Sequence, residues 1–306
     1  MGYQQAARGV LPAACFYVNL LCEDLREKEV GKHQKETIHQ NSKEGYHMLT
    51  LNNKNILVTG VSRSQGIGAA IARTLALAGA NVIVHGYAPY DFAQNYSDAD
   101  EAYLEELVHE SARKNLNLWR LPSSDLSHKN TPEKVIQQAV ERLGYINGLV
   151  LNHAYSTWVS LGEWSAEDID AHLSVNVRAS MLMIQAFAKQ LPKQEEGSIT
   201  LFTSGQFLGP MIKEIAYAVS KDAVIGLCRQ ASAALAPQNI RVNCINPGPT
   251  DTGYLSGKEY DEVAKQFPRG KWLVPEDAAR LVHFLQSDYS RTITGQIITS
   301  DAGFSK

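Results

Sequence analysis

Past about residue 50 the chain alternates two hydrophobic patterns. Short apolar runs stand at Asn55–Thr59, Asn81–His85, 117–121, Gly148–Leu151, Ser198–Thr203, Ile240–Ile245 and Ile293–Ile298. Runs of this length, bounded by Gly, Asn and Asp, read as strands buried on both faces. Between them, apolar residues recur at helical spacing, at Ala69–Ala78, 98–114, Thr131–Leu143, Ser165–Gln190, a segment around Tyr217 and Pro275–Ser287. Pro132 and Pro275 sit where a first helical turn tolerates proline. Strand alternating with helix predicts an α/β fold: a doubly wound parallel sheet with helices on both faces. The loop after Asn81–His85, which carries Asp91 and Asp98, and the stretch 253–273 show no period and read as loops.

The first fifty residues stand outside this pattern. Val10–Cys22 is apolar but lacks the flanks and cleavage site of a signal peptide, and Glu27–Gly45 is polar, as a flexible tail is. Lys43-Glu44-Gly45 can be encoded by a purine-rich run resembling a bacterial ribosome-binding site just ahead of the Met48 codon. Residues 1–50 are therefore expected to be an N-terminal extension, flexible or a mis-assigned leader, and 51–306 the catalytic domain.

Composition narrows the function. Of 306 residues, 44% are apolar and 20% charged, and the net charge is -3, which argues against nucleic-acid binding by bulk charge. No apolar run approaches the roughly 20 residues needed to span a bilayer. The four cysteines, Cys15, Cys22, Cys228 and Cys244, lack metal or redox spacing and fit a cytoplasmic protein. No metal site is expected.

Candidate chemistry falls at the ends of the strands. Asn55–Thr59 runs into Gly60, Ser62, Arg63, Gly66, Ile67 and Gly68 and then a helix. Glycines between strand and helix let backbone N–H groups and the helix dipole meet a phosphate. The next strand ends in His85-Gly86-Tyr87, without the acid that would bind ribose hydroxyls and repel a 2'-phosphate. With Arg63 in the glycine loop, this favours NADP(H) over NAD(H). Tyr217 and Lys221 lie one helical turn apart, where an ammonium lowers a phenol's pKa and readies it for proton transfer. Asn176 sits among apolar neighbours, where a buried amide needs partners.

These pieces together resemble the short-chain dehydrogenase/reductase family over about residues 52–304. The match comprises Thr59-Gly60 with Gly66-Ile67-Gly68, Asp125-Leu126, Asn152-His153-Ala154, Asn176, Ser204, Tyr217 with Lys221, and Pro247-Gly248 with Thr250–Thr252. Ser204 stands thirteen residues before Tyr217, as in the family. Thr203–Gln206 and Asn246–Gly253 are similar to a bacterial subgroup labelled 3-oxoacyl-carrier-protein reductase-like.

The resemblance implies a single-domain Rossmann fold, a homotetramer or homodimer, and an NAD(P)-dependent oxidoreductase interconverting a carbonyl and a secondary alcohol. It implies roles as well. Tyr217 is the acid-base; Lys221 lowers its pKa and holds the nicotinamide ribose. Ser204 binds the substrate oxygen, and Asn176 holds a relay water. Asp125 and Leu126 meet adenine, and Asn152 and Ala154 flank the cofactor. Pro247, Gly248, Thr250 and Thr252 lie by the nicotinamide and its phosphates. Tyr155, Gln206 and Tyr254 are substrate candidates, among loops that also hold Trp158 and Trp272.

The chain departs from the family pattern in three places. Five residues separate Gly60 from Gly66 where the family has three, Tyr155 replaces a glycine, and the rim carries Glu195 and Glu196. Acidic rim residues oppose an acidic carrier protein, so a small free carbonyl or alcohol is preferred over a carrier-bound 3-oxoacyl group. A non-catalytic dinucleotide-binding module is the alternative from another class.

Overall fold

The computed structural model describes residues 49–305, so the expectations for the leader, Met48, Cys15 and Cys22 lie outside the described residues. Seven strands form: β1 Asn55–Thr59, β2 Asn81–His85, β3 Leu118–Arg120, β4 Gly148–Leu151, β5 Gly197–Phe202, β6 Ile240–Asn246 and β7 Ile297–Thr299. They align in the order β3-β2-β1-β4-β5-β6-β7. Every neighbouring pair is parallel.

Successive strand residues face opposite ways. Ile56 and Val58 of β1 therefore join one core, with Val82 and Val84. Leu57 joins the other, with Ile83, Leu149 and Ile199. The first core is closed by α1 (Ile67–Leu77) and by the helix Pro275–Gln286, the second by Thr131–Leu143 and by the helices that carry Met183, Phe187 and Cys228. Both faces being covered explains why the strands read as continuous apolar runs. Chain order reverses between β1 and β4, and the crevice at their carboxyl ends is where such sheets bind ligands.

Two helices form where the sequence shows no period. α2 (Ala88–Ala93) has Pro89 in its first turn and follows two residues after β2. The other helices in chain order are α3 (Tyr103–Arg113), α4 (Thr131–Leu143), α5 (Ala166–His172), α6 (Ser180–Gln190), α7 (Ile215–Leu235), α8 (Gly257–Gln266) and α9 (Pro275–Gln286). α8 lies inside the stretch expected to be a loop. It buries no residue of its own and is held by Trp272, whose ring stacks on Tyr260 at 4.9 Å. The expected long helix over Ser165–Gln190 is continuous, but Leu173–Ala179 between α5 and α6 is π-wound. Among the described residues no helix is long and apolar enough to cross a membrane, and no cluster of metal ligands occurs.

Candidate active site

A cavity of about 520 Å³ opens at the β1–β4 crevice. That volume is within the range of small-molecule pockets. Its floor is built by close backbone approach. Gly60 has φ +72°, and a Cβ there would lie 2.7 Å from the His153 nitrogen. A Cβ on Gly68 would lie 2.2 Å from the Gly60 carbonyl oxygen. Asn152 fastens the same spot, Nδ2 donating to Gly60 O at 3.0 Å. The N-cap of α1 is Gly66, with no side-chain cap, so the first-turn N–H groups are left for a ligand. These features fit a dinucleotide phosphate.

Of the residues singled out in the sequence, Gly60, Ser62, Arg63, Gly66, Ile67, Asp125, Leu126, Asn152, Ala154, Tyr155, Tyr217 and Thr252 line this cavity. Gly68, Asn176, Ser204, Lys221, Pro247, Gly248 and Thr250 are not among the residues lining it. Gly248 has φ +66° and donates its N–H to Asn246 Oδ1 at 3.1 Å, while the Thr250 hydroxyl donates to Gly248 O at 3.2 Å. Asp125 Oδ1 accepts from Ser127 N at 2.7 Å, which shapes the turn after β3.

Tyr217 is in the first turn of α7 and lines the cavity. Burial raises its pKa and outweighs the lowering by Ser204, so the phenol is protonated at neutral pH. Lys221, one turn on, is 3% exposed. Its Nζ donates to Phe202 O at 2.9 Å and lies 5.5 Å from the Tyr217 ring centroid. Burial pushes the Lys221 pKa down to about 8. The lowering of the Tyr217 pKa expected from Lys221 is therefore not visible in the protein alone. The amine is turned to a strand carbonyl, and burial dominates both groups.

Asn176 lies in the π-turn, and both ends of its amide are engaged. Oδ1 accepts from Tyr155 N at 2.7 Å, and Nδ2 donates to Tyr155 O at 2.9 Å and to Ser220 Oγ at 2.8 Å. The side chain fixes the backbone at Tyr155. His153 is likewise closed in, Nδ1 paired with Thr59 Oγ1 at 2.7 Å, and burial pushes its pKa down to about 3.

The three substrate candidates separate. Tyr155 packs at 5.4 Å on Tyr90 and edge-on at 4.8 Å against His172. Tyr254 is 40% exposed and sits edge-on to Trp272 at 5.9 Å. Gln206 is 8% exposed and stands away from the cavity. Its amide accepts from Ser204 N at 3.2 Å and donates to Thr203 Oγ1 and Asp222 Oδ1, each at 3.0 Å. Gln206 thus braces Ser204 rather than meeting a substrate.

Arg63 is not a free cation. Nε pairs with Asp98 at 2.7 Å, the guanidinium stacks 3.7 Å over Tyr96, and Nη2 donates to the Thr252 carbonyl. Several lining residues were not assigned to the site from the sequence, among them Tyr90, Asp91 and Tyr96. Tyr90 exchanges hydrogen bonds with the Ser156 backbone, donating at 3.0 Å and accepting at 3.1 Å. Asp91 is 5% exposed, with Oδ2 unpartnered, and Tyr96 also faces the cavity. All three lie in or beside α2, where no periodicity marks them.

A family model described as enoyl-(acyl carrier protein) reductase matches residues 60–305. The Bacillus subtilis (strain 168) uncharacterized oxidoreductase YjdA is 35% identical over 253 residues, covering 82% of this chain and 96% of that one. The Thermotoga maritima 3-oxoacyl-[acyl-carrier-protein] reductase FabG is 29% identical over 264 residues, covering 83% and 99%. The structure of a Burkholderia cenocepacia J2315 short chain dehydrogenase in complex with NADP matches with a TM-score of 0.73 and 30% identity, covering 84% and 99%. The chain belongs to the short-chain dehydrogenase/reductase family, as an oxidoreductase dependent on a nicotinamide cofactor.

Proposed function

We propose that the unit from residue 51 onward reduces a carbonyl to a secondary alcohol, and runs the reverse oxidation, with Tyr217 as acid-base. The observation that carries this is Tyr217 in the wall of a cavity that begins on the glycine cradle, one helical turn from the buried Lys221. A reduced nicotinamide bound there supplies the hydride. Tyr217 gives its proton to the carbonyl oxygen, and Ser204 donates a hydrogen bond to the charge developing there. Lys221 sits under the ring to reprotonate it and to bind the cofactor's ribose. Asn176 and Gln206 position Tyr155 and Ser204. The complete set distinguishes this reading from a non-catalytic binding module.

NADP(H) is the preferred cofactor, with NAD(H) as the alternative. The neighbouring Burkholderia structure holds NADP, and Arg63 lines the cavity here. Asp98 offsets much of the Arg63 charge. Arg63→Ala is expected to raise KM for NADPH about tenfold, the order of one charge-assisted hydrogen bond. KM for NADH should change much less. Equal effects on both would remove Arg63 from phosphate recognition.

A small free carbonyl or alcohol is the preferred substrate. The likeness to FabG keeps a carrier-bound 3-oxoacyl group as the second reading. Oxidation of NADPH and NADH with a panel of ketones, aldehydes and a 3-oxoacyl thioester tests both readings. Turnover confined to the carrier-bound thioester would reverse the preference.

A cytoplasmic homo-oligomer is the expected form. Leu173, Met181 and Val219, on the π-turn, α6 and α7, are 40%, 53% and 55% exposed, an apolar surface suited to a second copy. Light scattering on the full chain should give a dimer or tetramer mass, and a monomer at working concentration would refute this.

A further inference from the structure

The segment that follows β2 crosses the crevice. In the sheet, β1 lies between β2 and β4. Tyr90, on α2 just past the end of β2, donates its hydroxyl to Ser156 O at 3.0 Å and accepts from Ser156 N at 3.1 Å. Ser156 stands in the loop past the end of β4. This tether therefore spans the carboxyl end of β1, where the glycine cradle begins. Tyr90 and Ser156 line the same cavity as Gly60, Ser62 and Gly66. Beside the tether, the Tyr90 ring packs on Tyr155 at 5.4 Å. Burial raises the Tyr90 pKa, so the phenol stays a donor at neutral pH.

The ends of the segment are held differently from its middle. At one end Val61 N donates to His85 O at 3.0 Å, and a Cβ on Gly86 would lie 2.1 Å from Val61 O. At the other end Asp98 pairs with Arg63 at 2.7 Å and accepts from Gln65 N at 2.9 Å, while Ala99 bridges antiparallel to Arg63. Both ends are thus stitched to the glycine loop. Between them α2 buries only Ala88 and Asp91 of its own residues and leaves Phe92 exposed. Asp91 keeps Oδ2 buried and unpartnered, a cost that opening to water relieves. An element with so little apolar burial opens at low free energy. Tyr90 ties its middle to the far bank of the crevice.

We infer that α2 is a gate over the dinucleotide site and that the Tyr90–Ser156 tether is its latch, which parts whenever the nicotinamide cofactor enters or leaves. This rests on the dinucleotide reading of the cavity. A latch that makes the same bonds whether the site is empty or full slows entry and exit alike. It leaves the affinity where it was, because an equilibrium without differential contact to the ligand shifts no binding. A residue that grips the cofactor directly acts otherwise, mainly on the dissociation rate.

Rates separate the two roles. Stopped-flow mixing of NADPH or NADH with the full-length protein, followed by cofactor fluorescence, gives the association rate. Displacement by excess oxidised cofactor gives the dissociation rate. Tyr90→Phe removes both hydrogen bonds to Ser156 and keeps the ring on Tyr155. Both rates should rise by about ten- to a hundredfold, the worth of two ordinary hydrogen bonds, while Kd stays within about threefold of the wild type. With cofactor in excess neither rate depends on how much of the variant is folded, so partial misfolding does not blur the comparison. A rise confined to one of the two rates, or no change in either, overturns the latch and leaves the dinucleotide site standing. No saturable binding of either reduced cofactor to the wild type overturns both.

Discussion

Tyr217→Phe is expected to lower kcat for carbonyl reduction by about two to four orders of magnitude, the usual contribution of a positioned general acid. The substitution removes one oxygen. The ring remains under the eye of Lys221, whose Nζ lies 5.5 Å from its centroid and is tied to Phe202 rather than to the phenol. Ser204 stays at the end of β5, braced by Gln206. Cofactor affinity should therefore hold within a few-fold, and thermal stability should change little. What is lost is the proton for the carbonyl oxygen. The double variant Tyr217→Phe with Ser204→Ala should fall less than the product of the single losses, since the two hydroxyls act on one oxygen. Single-turnover rates with bound reduced cofactor, read beside cofactor titrations, separate the effects. A Phe variant within tenfold of wild type would falsify the assignment of Tyr217 as the acid.

The sheet was legible in the sequence because its strands are buried on both faces. β1, β2 and β4 have the bounds that their apolar runs predict, since Ile56, Val58 and Leu57 must each find a core. The glycine loop and the Tyr217–Lys221 spacing are also local features, carried by a few adjacent residues. What escaped was held by partners distant in sequence. α8 buries nothing, so no periodicity announces it; one indole ring packed on Tyr260 keeps it in place. α2 is six residues long and contributes Asp91 and Tyr90 to the cavity from a segment that reads as loop.

Side-chain roles were the least legible part of the candidate site. Arg63 reads as a free loop cation until Asp98, thirty-five residues away, is found beside it. Asn176 reads as a buried amide seeking partners, and it has them in the Tyr155 backbone and Ser220, which no spacing names. Gln206 looks like a pocket residue by position, and its network turns it inward. In each case residue type and element were readable, while the direction of the side chain depended on a contact that no spacing encodes.

Lys221→Met is expected to abolish most activity and to make the protein more stable. Lys221 is almost fully buried, with one hydrogen bond, to Phe202 O, and burial pushes its pKa from 10.5 down to about 8. In the unfolded chain the lysine keeps its ordinary value, so the folded state binds this proton more weakly. Below about pH 8 both states carry the proton and the folded protein bears the whole penalty. Between 8 and 10.5 only the unfolded state carries it, so stability rises with pH. Above 10.5 neither does, and the penalty is gone. At pH 7 the shift corresponds to ~3 kcal/mol. Met matches the stem in length and leaves no charge to bury, while the lost bond to the Phe202 carbonyl costs about 1 kcal/mol. The net gain is then roughly 2 kcal/mol, which raises Tm by about 4–8 °C in a domain of this size. The Tm difference between variant and wild type should be largest near neutrality and shrink as pH rises from 8 toward 10.5, the window set by Lys221 itself. Groups common to both proteins cancel in that difference. Activity should move the other way, by about a hundredfold or more, because the same ammonium is what Tyr217 needs for reprotonation. A variant equally inactive but less stable, with a pH-independent Tm deficit, would show that Lys221 is a structural anchor. Opposed changes in stability and rate are the mark of a charge kept in an apolar wall for chemistry, and a residue held only by packing does not produce them.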